Sequence, residues 1–436
     1  MIGRFSLYGF LKNQQYYDYF LILAFRQMGL SYFAIGILVA FREIMINLME
    51  IPTGGVADLC GRRGSMIFSF VSYIISFAIF GFSGVAATDF GLSQPVLISL
   101  LFLAMFFFAI GDAFRTGTHK ALIFTWLRNQ GRTDDVTEVY GYTRSWSKIG
   151  SAVSVIVACV IVFKTSNYIT VFFFAIIPYI LNIINFLGYP REIDCKIEEK
   201  TSFGDIVNHL KITLVSSVKQ AGLRRLILES MGFEGFFKAS KDYLQPILMV
   251  AALPLTAALF SNIQLSNEQK SVVLIGPVFF LLFILSALAS RNAYRLVSKA
   301  GHEDKTAKLL WGFSVLIFLA LLPAMYYGTH WIMITCFVVL YVVQNFWRPV
   351  LISRFYAHSD EAKGATVLSI ESQAKSLSTM IIAPVLGLAI DFVRGYGIGG
   401  SAFWPMGALG LIISFGFFVT AAKGAKLPAL KGEAPH

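Results

Sequence analysis

The amino-acid sequence predicts an all-α integral membrane protein with twelve transmembrane helices, arranged as two pseudo-symmetric bundles of six. Composition is the first reason: the 436-residue chain is 56% hydrophobic and only 14% charged, and its mean hydropathy of +0.68 exceeds that of ordinary soluble domains. Apolar stretches of about twenty residues, the length that crosses a bilayer, recur along the whole chain. A charged stretch near the middle divides them into six and six.

The twelve predicted spans are defined by hydropathy, with short connections between them. Polar residues at 13–15 interrupt the first span, and no small-residue cleavage site follows it, so we expect it to remain as a polar-lined helix rather than a signal peptide. The first six spans are Leu7–Met28, Phe33–Thr53, Ser65–Phe82, Val96–Thr118, Tyr140–Phe163 and Tyr168–Leu187. The second six are Leu226–Ala251, Val272–Ser290, Ala307–Tyr327, Trp331–Ile352, Ala365–Ile390 and Phe403–Ala421.

Spans and charges together predict four segments. Residues 1–189 form an N-terminal six-helix bundle, and residues 226–422 form a C-terminal one. Residues 190–225 carry mixed charge followed by an amphipathic pattern, which predicts a cytoplasmic linker with a short helix on the inner leaflet. Residues 423–436 form a basic cytoplasmic tail near anionic lipid.

The lysines and arginines predict the orientation of the chain. With the amino terminus inside, and with Lys12, Arg26 and Lys308 near span ends assigned to the adjoining side, the cytoplasmic segments hold 24 of the 36 basic residues, four lie on the other side and eight lie deeper within spans. A bias of about six to one is typical of a multi-pass protein with both termini in the cytoplasm. The net charge of +11 therefore reflects topology. It does not indicate nucleic acid, because the basic residues lie in short connections rather than along one face.

The charged residues inside the spans are unevenly placed: Lys308 at the edge of span nine apart, spans three, six, nine and twelve have none. A charge in hydrocarbon is costly unless it faces water or a partner, so the helices that carry charges should line a shared interior path, as in a transporter. The basic members are Arg42, Arg115, Arg144, Lys148, Lys238, Lys241, Arg348 and Lys375. The acidic members are Asp18, Glu43, Glu50, Asp112, Glu229, Glu234, Asp242 and Glu371.

Two of these carboxylates, Asp18 and Glu43, lie near the middle of their spans with no opposite charge three or four residues away on the same helix. A carboxylate in that position could bind and release a proton near neutral pH. We therefore expect Asp18 and Glu43, together with Asp112, to be candidates for proton coupling. A cross-helix salt bridge, for instance to Arg115 or Lys148, is the alternative interpretation.

Basic and amide side chains within the spans are candidate ligands for a small solute. Apart from the three basic residues near span ends, the spans hold eight basic and eight acidic residues, so the net charge of these residues is zero and the predicted preference for an anionic solute is slight. On span seven, the four-residue steps between Glu234, Lys238 and Asp242 predict a ladder of alternating charge that neutralises itself. The candidate substrate-binding residues are Arg115, Arg144, Lys148, Lys238, Gln344, Asn345, Arg348 and Lys375.

Residues 54–63, with the sequence GGVADLCGRR, follow span two. They resemble the signature loop of the major facilitator superfamily, G-x-L-A-D-R-x-G-R-R, except that Leu59 stands where the family usually has a basic residue. Glycines allow close helix approach, and the arginines anchor the inner face. The resemblance implies that the aspartate latches the two halves in the outward-open state. The implied gating residues are Gly54, Asp58, Gly61, Arg62 and Arg63.

The resemblance implies a monomeric secondary transporter in which two bundles rock about a central cavity. We expect a bacterial inner membrane, a proton as coupling ion and a small polar or charged organic solute as substrate. A proton-driven multidrug efflux antiporter is the alternative, although Gly150 and Ser151 of span five stand without the G-P-x-x-G-G run of drug–proton antiporters. A transporter-like membrane receptor is an alternative of another class.

An enzyme is not expected from the placement of reactive side chains. The six histidines lie at span ends, in loops or at termini, and the sequence shows no pattern typical of a nucleophile with its base or of a metal site. We therefore predict neither a cofactor nor a metal. A channel is disfavoured because the charges are spread over two halves rather than arranged as a ring.

Overall fold

The structure, a computed structural model, describes residues 1–116, 118–132, 136–190, 221–357 and 364–423. Most of the predicted linker and nearly all of the predicted tail lie outside these ranges. All the regular secondary structure within them is helical. The side chains of residues 50–52, 54–60, 120–121, 136–138, 140, 221, 356–357, 364–369 and 421–423 also lie outside the description.

The helices form two successive sets, one in each half of the chain. The first set is α1 Ile2–Lys12, α2 Leu21–Gln27, α3 Tyr32–Cys60, α4 Arg62–Asp89, α5 Gln94–Arg115, α6 Thr118–Asn129, α7 Val136–Thr165 and α8 Thr170–Leu187. The second set is α9 Ala221–Ser230, α10 Phe236–Ser240, α11 Leu244–Leu259, α12 Asn267–Ala300, α13 Glu303–Tyr327, α14 His330–Ala357, α15 Gly364–Tyr396 and α16 Trp404–Lys423.

These helices confirm the predicted fold class. Within the described ranges, ten helical stretches are long and apolar enough to cross a membrane, and a shorter apolar helix covers Trp404–Thr420. The broken pair α1 and α2 supplies the remaining crossing. Several helices run beyond the predicted span ends because their polar extensions leave the apolar layer while keeping helical hydrogen bonds. The longest extension is in α12, which continues from the predicted end at Ser290 to Ala300.

The first crossing is broken, in contrast to the continuous span predicted. A 3-10 turn at Tyr16–Tyr19 separates α1 from α2, and backbone groups freed inside a membrane need new partners. Gln245 of α11 supplies them: its Nε2 atom donates to the backbone oxygen of Asp18 at 2.8 Å, and its Oε1 atom accepts from the amide of Ile22 at 3.0 Å. A side chain of the second bundle therefore completes the backbone of the first.

The seventh crossing is broken twice, by a π-helical turn at Met231–Gly235 and a 3-10 turn at Lys241–Tyr243. Each change of helical period rotates the residues that follow relative to those before. The charge ladder expected from four-residue spacing does not form as a result. Lys238 instead contacts the first bundle, as described below.

The segment predicted as a loop after span two is helical as far as Cys60. Gly61 then makes the turn with φ of +97°, a conformation that favours glycine. Arg63 donates from Nε and Nη2 to the backbone oxygens of Phe186 and Leu187, at 2.9 and 2.7 Å. These bonds hold the start of α4 against the end of α8. The side chain of Asp58 and the packing around Gly54 lie outside the described residues.

Helices α4, α8, α13 and α16, which correspond to the charge-free spans, pack within their own bundles: α4 on α5 and α8, and α13 on α14 and α16. Each carries a large apolar side chain that is more than half exposed. These are Phe82, Ile184, Leu316 and Ile412. Large exposed apolar side chains on membrane-spanning helices are suited to lipid contact, which explains why a charge in these spans would be costly.

The two bundles are held together at one end, which we call the opposite face because the amino terminus lies at the other end. There the carboxylate of Asp391 accepts from the amides of Tyr32 and Phe33 at 3.1 and 2.7 Å. Tyr168 also donates to Ser271 Oγ at 2.8 Å. A Cβ atom on Gly387 would lie 2.2 Å from the backbone oxygen of Tyr32, so α3 and α15 are in direct backbone contact. The opposite face is closed in this structure.

Replacing Gly387 by Val should prevent this closure, because no flexible side chain can move aside to make room. We expect nitroxides at exposed Phe90 and Tyr327, one on each bundle at the opposite face, to show a longer distance distribution in the variant by double electron–electron resonance, measured on a background without cysteine. Gly395→Val, on the same helix with open space around it, is the matched control. An unchanged distribution in Gly387→Val would show that closure does not need this contact.

Candidate functional site

The two bundles share a buried ion pair. Lys238 Nζ donates to Glu43 Oε2 at 2.6 Å, and Arg42 Nη2 donates to Glu43 Oε1 at 3.1 Å. Glu43 lies about 16 Å along α3 from its start, near the middle of the membrane. Its side chain is 1% exposed, whereas that of Lys238 is 29% exposed. The cross-helix partner of Glu43 is thus Lys238 of the second bundle, rather than Arg115 or Lys148.

Asp18 lies beside the second break of the seventh crossing. Its Oδ1 atom is 3.9 Å from Lys241 Nζ, and Lys241 also donates to Asp242 Oδ1 at 2.7 Å. Two carboxylates, one from each bundle, therefore share one ammonium group. The side chain of Asp18 is 41% exposed, so a proton from water can reach this carboxylate more easily than it can reach Glu43.

In the second bundle, two buried carboxylates share Arg348. Its Nη1 atom donates to Glu371 Oε1 at 2.8 Å and lies 3.6 Å from Glu234 Oε2. Gln344 Nε2 donates to the same Glu234 oxygen at 3.2 Å. Both carboxylates are at most 5% exposed. Their charges engage both Arg348 and Gln344, so each of these side chains already has a partner, although 37% of the Arg348 side chain remains exposed.

A cavity of about 480 Å³ lies within the first bundle, between α1, α5 and α7. We call it the basic pocket, because four cationic side chains line it while none of its lining residues is acidic. Its other lining residues offer hydroxyl, amide or aromatic groups. The four cations are Lys12, Arg115, Arg144 and Lys148.

Asp112 lies behind the basic pocket and is paired within the first bundle. Arg115 Nη2 and Tyr73 Oη both donate to Asp112 Oδ1, the latter at 2.9 Å. Arg115 Nε also donates to Tyr73 Oη at 3.3 Å. This three-residue network fixes the guanidinium at the pocket wall and balances its charge. Asp112 thus has a cation beside it, as the spacing of three residues along α5 suggests.

The structure separates the substrate residues predicted from the sequence into two groups. Arg115, Arg144 and Lys148 are brought together in the basic pocket. The others lie in the second bundle, outside the residues that line this pocket, and several of them contact carboxylates or, for Asn345, the backbone oxygen of Tyr341. The second group is Lys238, Gln344, Asn345, Arg348 and Lys375.

Sequence reasoning missed Lys12, Tyr8 and Gln245. Lys12 ends α1 at the break in the first crossing, and counting it among loop cations hid its place in the pocket. Gln245 carries no charge, so a survey of buried charges passes over it. An amide beside Pro246 inside an apolar span was the available signal, because a polar group there needs a partner.

Two membrane-spanning bundles that meet at charged residues in mid-membrane define a transport protein. The sequence profile of the Major Facilitator Superfamily matches residues 13–383, and the chain belongs to that family. It is therefore a multi-pass transporter of small molecules rather than an enzyme, in agreement with the sequence-based prediction. No curated protein sequence matches the chain.

Solved structures with the same fold cover nearly the whole chain. A crystal structure of a mutant of the nucleoside transporter NupG has a TM-score of 0.74 at 14% identity, covering 96% of this chain and 99% of that one. A bacterial homologue of the iron transporter ferroportin in its inward-facing state has a TM-score of 0.70 at 12% identity, covering 98% of both. A D-xylose-proton symporter has a TM-score of 0.62 at 13% identity, covering 96% of both. At these identities the likeness shows the fold alone.

Removing Lys238 should destabilise the protein through Glu43, because a buried carboxylate loses one of its two cations. We expect Lys238→Ala to cost about 3 kcal/mol and Glu43→Gln in the same chain to recover most of that loss. Lys164→Ala, at the exposed end of α7, is the control and should cost less than about 0.5 kcal/mol. Thermal unfolding in detergent measures five proteins: the wild type, the two single variants Lys238→Ala and Glu43→Gln, the double variant and the control. Strictly additive effects of the two substitutions would show that the pair is not coupled.

Proposed function

We propose that the protein is a proton-coupled secondary transporter of a small organic anion, working by alternating access as a monomer in a bacterial inner membrane. The observation that carries this proposal is the ion pair between Glu43 and Lys238, which joins the two bundles in mid-membrane. Glu43, which a proton can neutralise, and Lys238, which can bind an anion, are direct partners in this pair. Breaking the pair would remove this contact between the two bundles.

Proton and anion binding would favour each other at this pair. A proton on Glu43 removes the charge that holds Lys238, which leaves an ammonium group able to bind an anionic solute. An anion on Lys238 in turn removes the cation that holds the charge of Glu43, which favours proton binding there. Such reciprocity is a thermodynamic requirement of coupled sites and favours symport over antiport.

The unpaired cations of the basic pocket support an anionic solute. Arg144 and Lys148 are exposed, and the ion pairs described for the structure do not include them, whereas Lys238, Lys241 and Arg348 each face a carboxylate. A neutral or cationic solute would leave those two charges uncompensated. An anion would neutralise them.

The closed opposite face fits one end state of alternating access. With both termini in the cytoplasm, as the positive-inside rule favours, this state faces inward. Arg62, Arg63 and Gly61 lie where α3 meets α4, and Arg62 also donates to Thr125 Oγ1 of α6 at 3.0 Å. We propose that this junction, with Gly54 and Asp58, forms the gate on the cytoplasmic side.

Replacing Glu43 by Gln should abolish transport driven by a pH gradient while sparing exchange of labelled substrate across the membrane, because the amide mimics the permanently protonated state. Asp18→Asn should behave in the same way if Asp18 relays the proton. Purified protein in liposomes, with an imposed pH gradient or with internal substrate alone, separates the two activities. Lys164→Gln serves as control. Wild-type rates of gradient-driven transport in both carboxylate variants would contradict the proposal.

The same liposomes test the efflux alternative. In that case Asp18, which is 41% exposed, would meet a lipophilic cation directly. If lipophilic cations show counterflow and organic anions show none, the protein is an efflux antiporter for cations, and the proposal of anion symport is wrong.

A further inference from the structure

We infer that the basic pocket between α1, α5 and α7 binds the charged end of an organic dianion. This inference rests on the proposed function and names its substrate class: a solute whose two negative charges lie on one group or on neighbouring groups. Phosphate monoesters and dicarboxylates share this chemistry. The site lies wholly within the first bundle.

Two like charges that stand four residues apart are the main observation. Arg144 and Lys148 are neighbours on one face of α7, where like charges repel each other. Both side chains are exposed to the pocket, and neither is paired with a carboxylate of the described residues. An anion between them would turn a repulsive pair into two attractive ones. A pair of this kind at the wall of a cavity is suited to a ligand that supplies the missing charge.

Among the other residues that line the pocket, Arg115 and His119 add no net charge, whereas Lys12 is cationic. Arg115 is balanced by Asp112. His119 lies beyond the end of the fourth crossing, with its ring centroid 3.9 Å from that of Tyr8. Burial lowers the pKa of His119 to about 3, so it stays neutral at physiological pH. With Arg115 balanced and His119 neutral, Arg144 and Lys148 present two adjacent positive charges beside that of Lys12, and a dianion can compensate the adjacent pair.

The size and lining of the pocket restrict the solute further. A volume of about 480 Å³ suits a small organic molecule rather than an inorganic ion or a long chain. Ser147 and Ser151 lie on α7 beside the two cations, and they can donate to anionic oxygens. Phe5 and Tyr8 of α1 form an apolar side. The geometry favours a doubly charged end facing α7 and a compact carbon skeleton facing α1.

Binding of matched esters to the purified full-length protein in detergent tests the charge requirement. Phenyl phosphate carries close to two negative charges at pH 7.5, whereas phenyl sulfate carries one on the same ring. We expect phenyl phosphate to bind at least about tenfold more tightly by isothermal titration calorimetry, since one charge-assisted contact is lost with the sulfate. Equal affinities would overturn the inference.

Succinate distinguishes the two sources of double charge. If phenyl phosphate binds and succinate does not, the substrate class is phosphate monoesters, and the reverse result indicates dicarboxylates. Binding of both supports a general dianion site. If neither binds, the inference is wrong.

Lowering the pH provides an independent measurement. The second pKa of a phosphate monoester is about 6, so moving from pH 7.5 to 5.5 should weaken phenyl phosphate binding to Glu43→Gln protein about fourfold as the dianion is lost. That variant removes the proposed proton site from the measurement, and the neutral His119 adds no charge over this range. Phenyl sulfate should be unaffected. A phosphate affinity that does not fall with pH would contradict a dianion site.

Neutral substitutions at the two cations locate the site. Arg144→Gln and Lys148→Gln should each weaken phenyl phosphate binding about tenfold, while Lys164→Gln, on the same helix about 24 Å from Lys148, should not. Each variant without ligand should melt at or above the wild-type temperature, because repulsion is relieved. Unchanged affinity in both variants would overturn the inference.

The same proteins in liposomes separate this inference from the proposed function. If phenyl phosphate binding depends on Arg144 and Lys148 but no anion crosses the membrane, the site stands and transport of anions fails. If organic anions are transported with a proton while both variants keep their affinity, the proposed function stands and the dianion site fails.

Discussion

The cost of a charge in hydrocarbon is the constraint on which the rest of the structure depends. It keeps charges out of the apolar parts of the lipid-facing helices α4, α8, α13 and α16 and concentrates them inside the two bundles and between them. There each buried carboxylate needs a cation, and Glu43 obtains one from its own helix and one from the other bundle. The ion pair therefore couples protonation of Glu43 in the first bundle to the contact between Glu43 and Lys238 of the second bundle.

The cations of the two bundles differ in whether they have carboxylate partners, and this difference decides where an anion would bind first in the proposed mechanism. In the second bundle Lys241 and Arg348 are each shared by two carboxylates. In the first bundle Arg144 and Lys148 line a pocket without acidic lining residues. An anion would therefore find its first charge complement in the first bundle, and the second bundle would respond when the anion reaches Lys238 and replaces Glu43 as its partner.

Much of this arrangement could be predicted from the sequence, because span length, charge-free helices and the glycine and arginine residues after span two follow from local physical rules. The breaks in the first and seventh crossings could not. They depend on Gln245, which satisfies backbone groups of a helix more than 200 residues away, and on changes of helical period that sequence spacing does not reveal. Pairings such as that of Glu43 with Lys238 also follow from tertiary packing, so three- and four-residue spacings along α3 give Glu43 no partner of opposite charge.

The central claim is that Glu43 takes up a proton when an anion binds. Proton uptake on addition of a transported anion to detergent-purified protein, followed with a pH-sensitive dye in weakly buffered solution, tests this most directly. The account predicts uptake approaching one proton per bound anion in the wild-type protein and none in Glu43→Gln protein that still binds the anion. Equal proton uptake by both proteins, or none by the wild type, would contradict it.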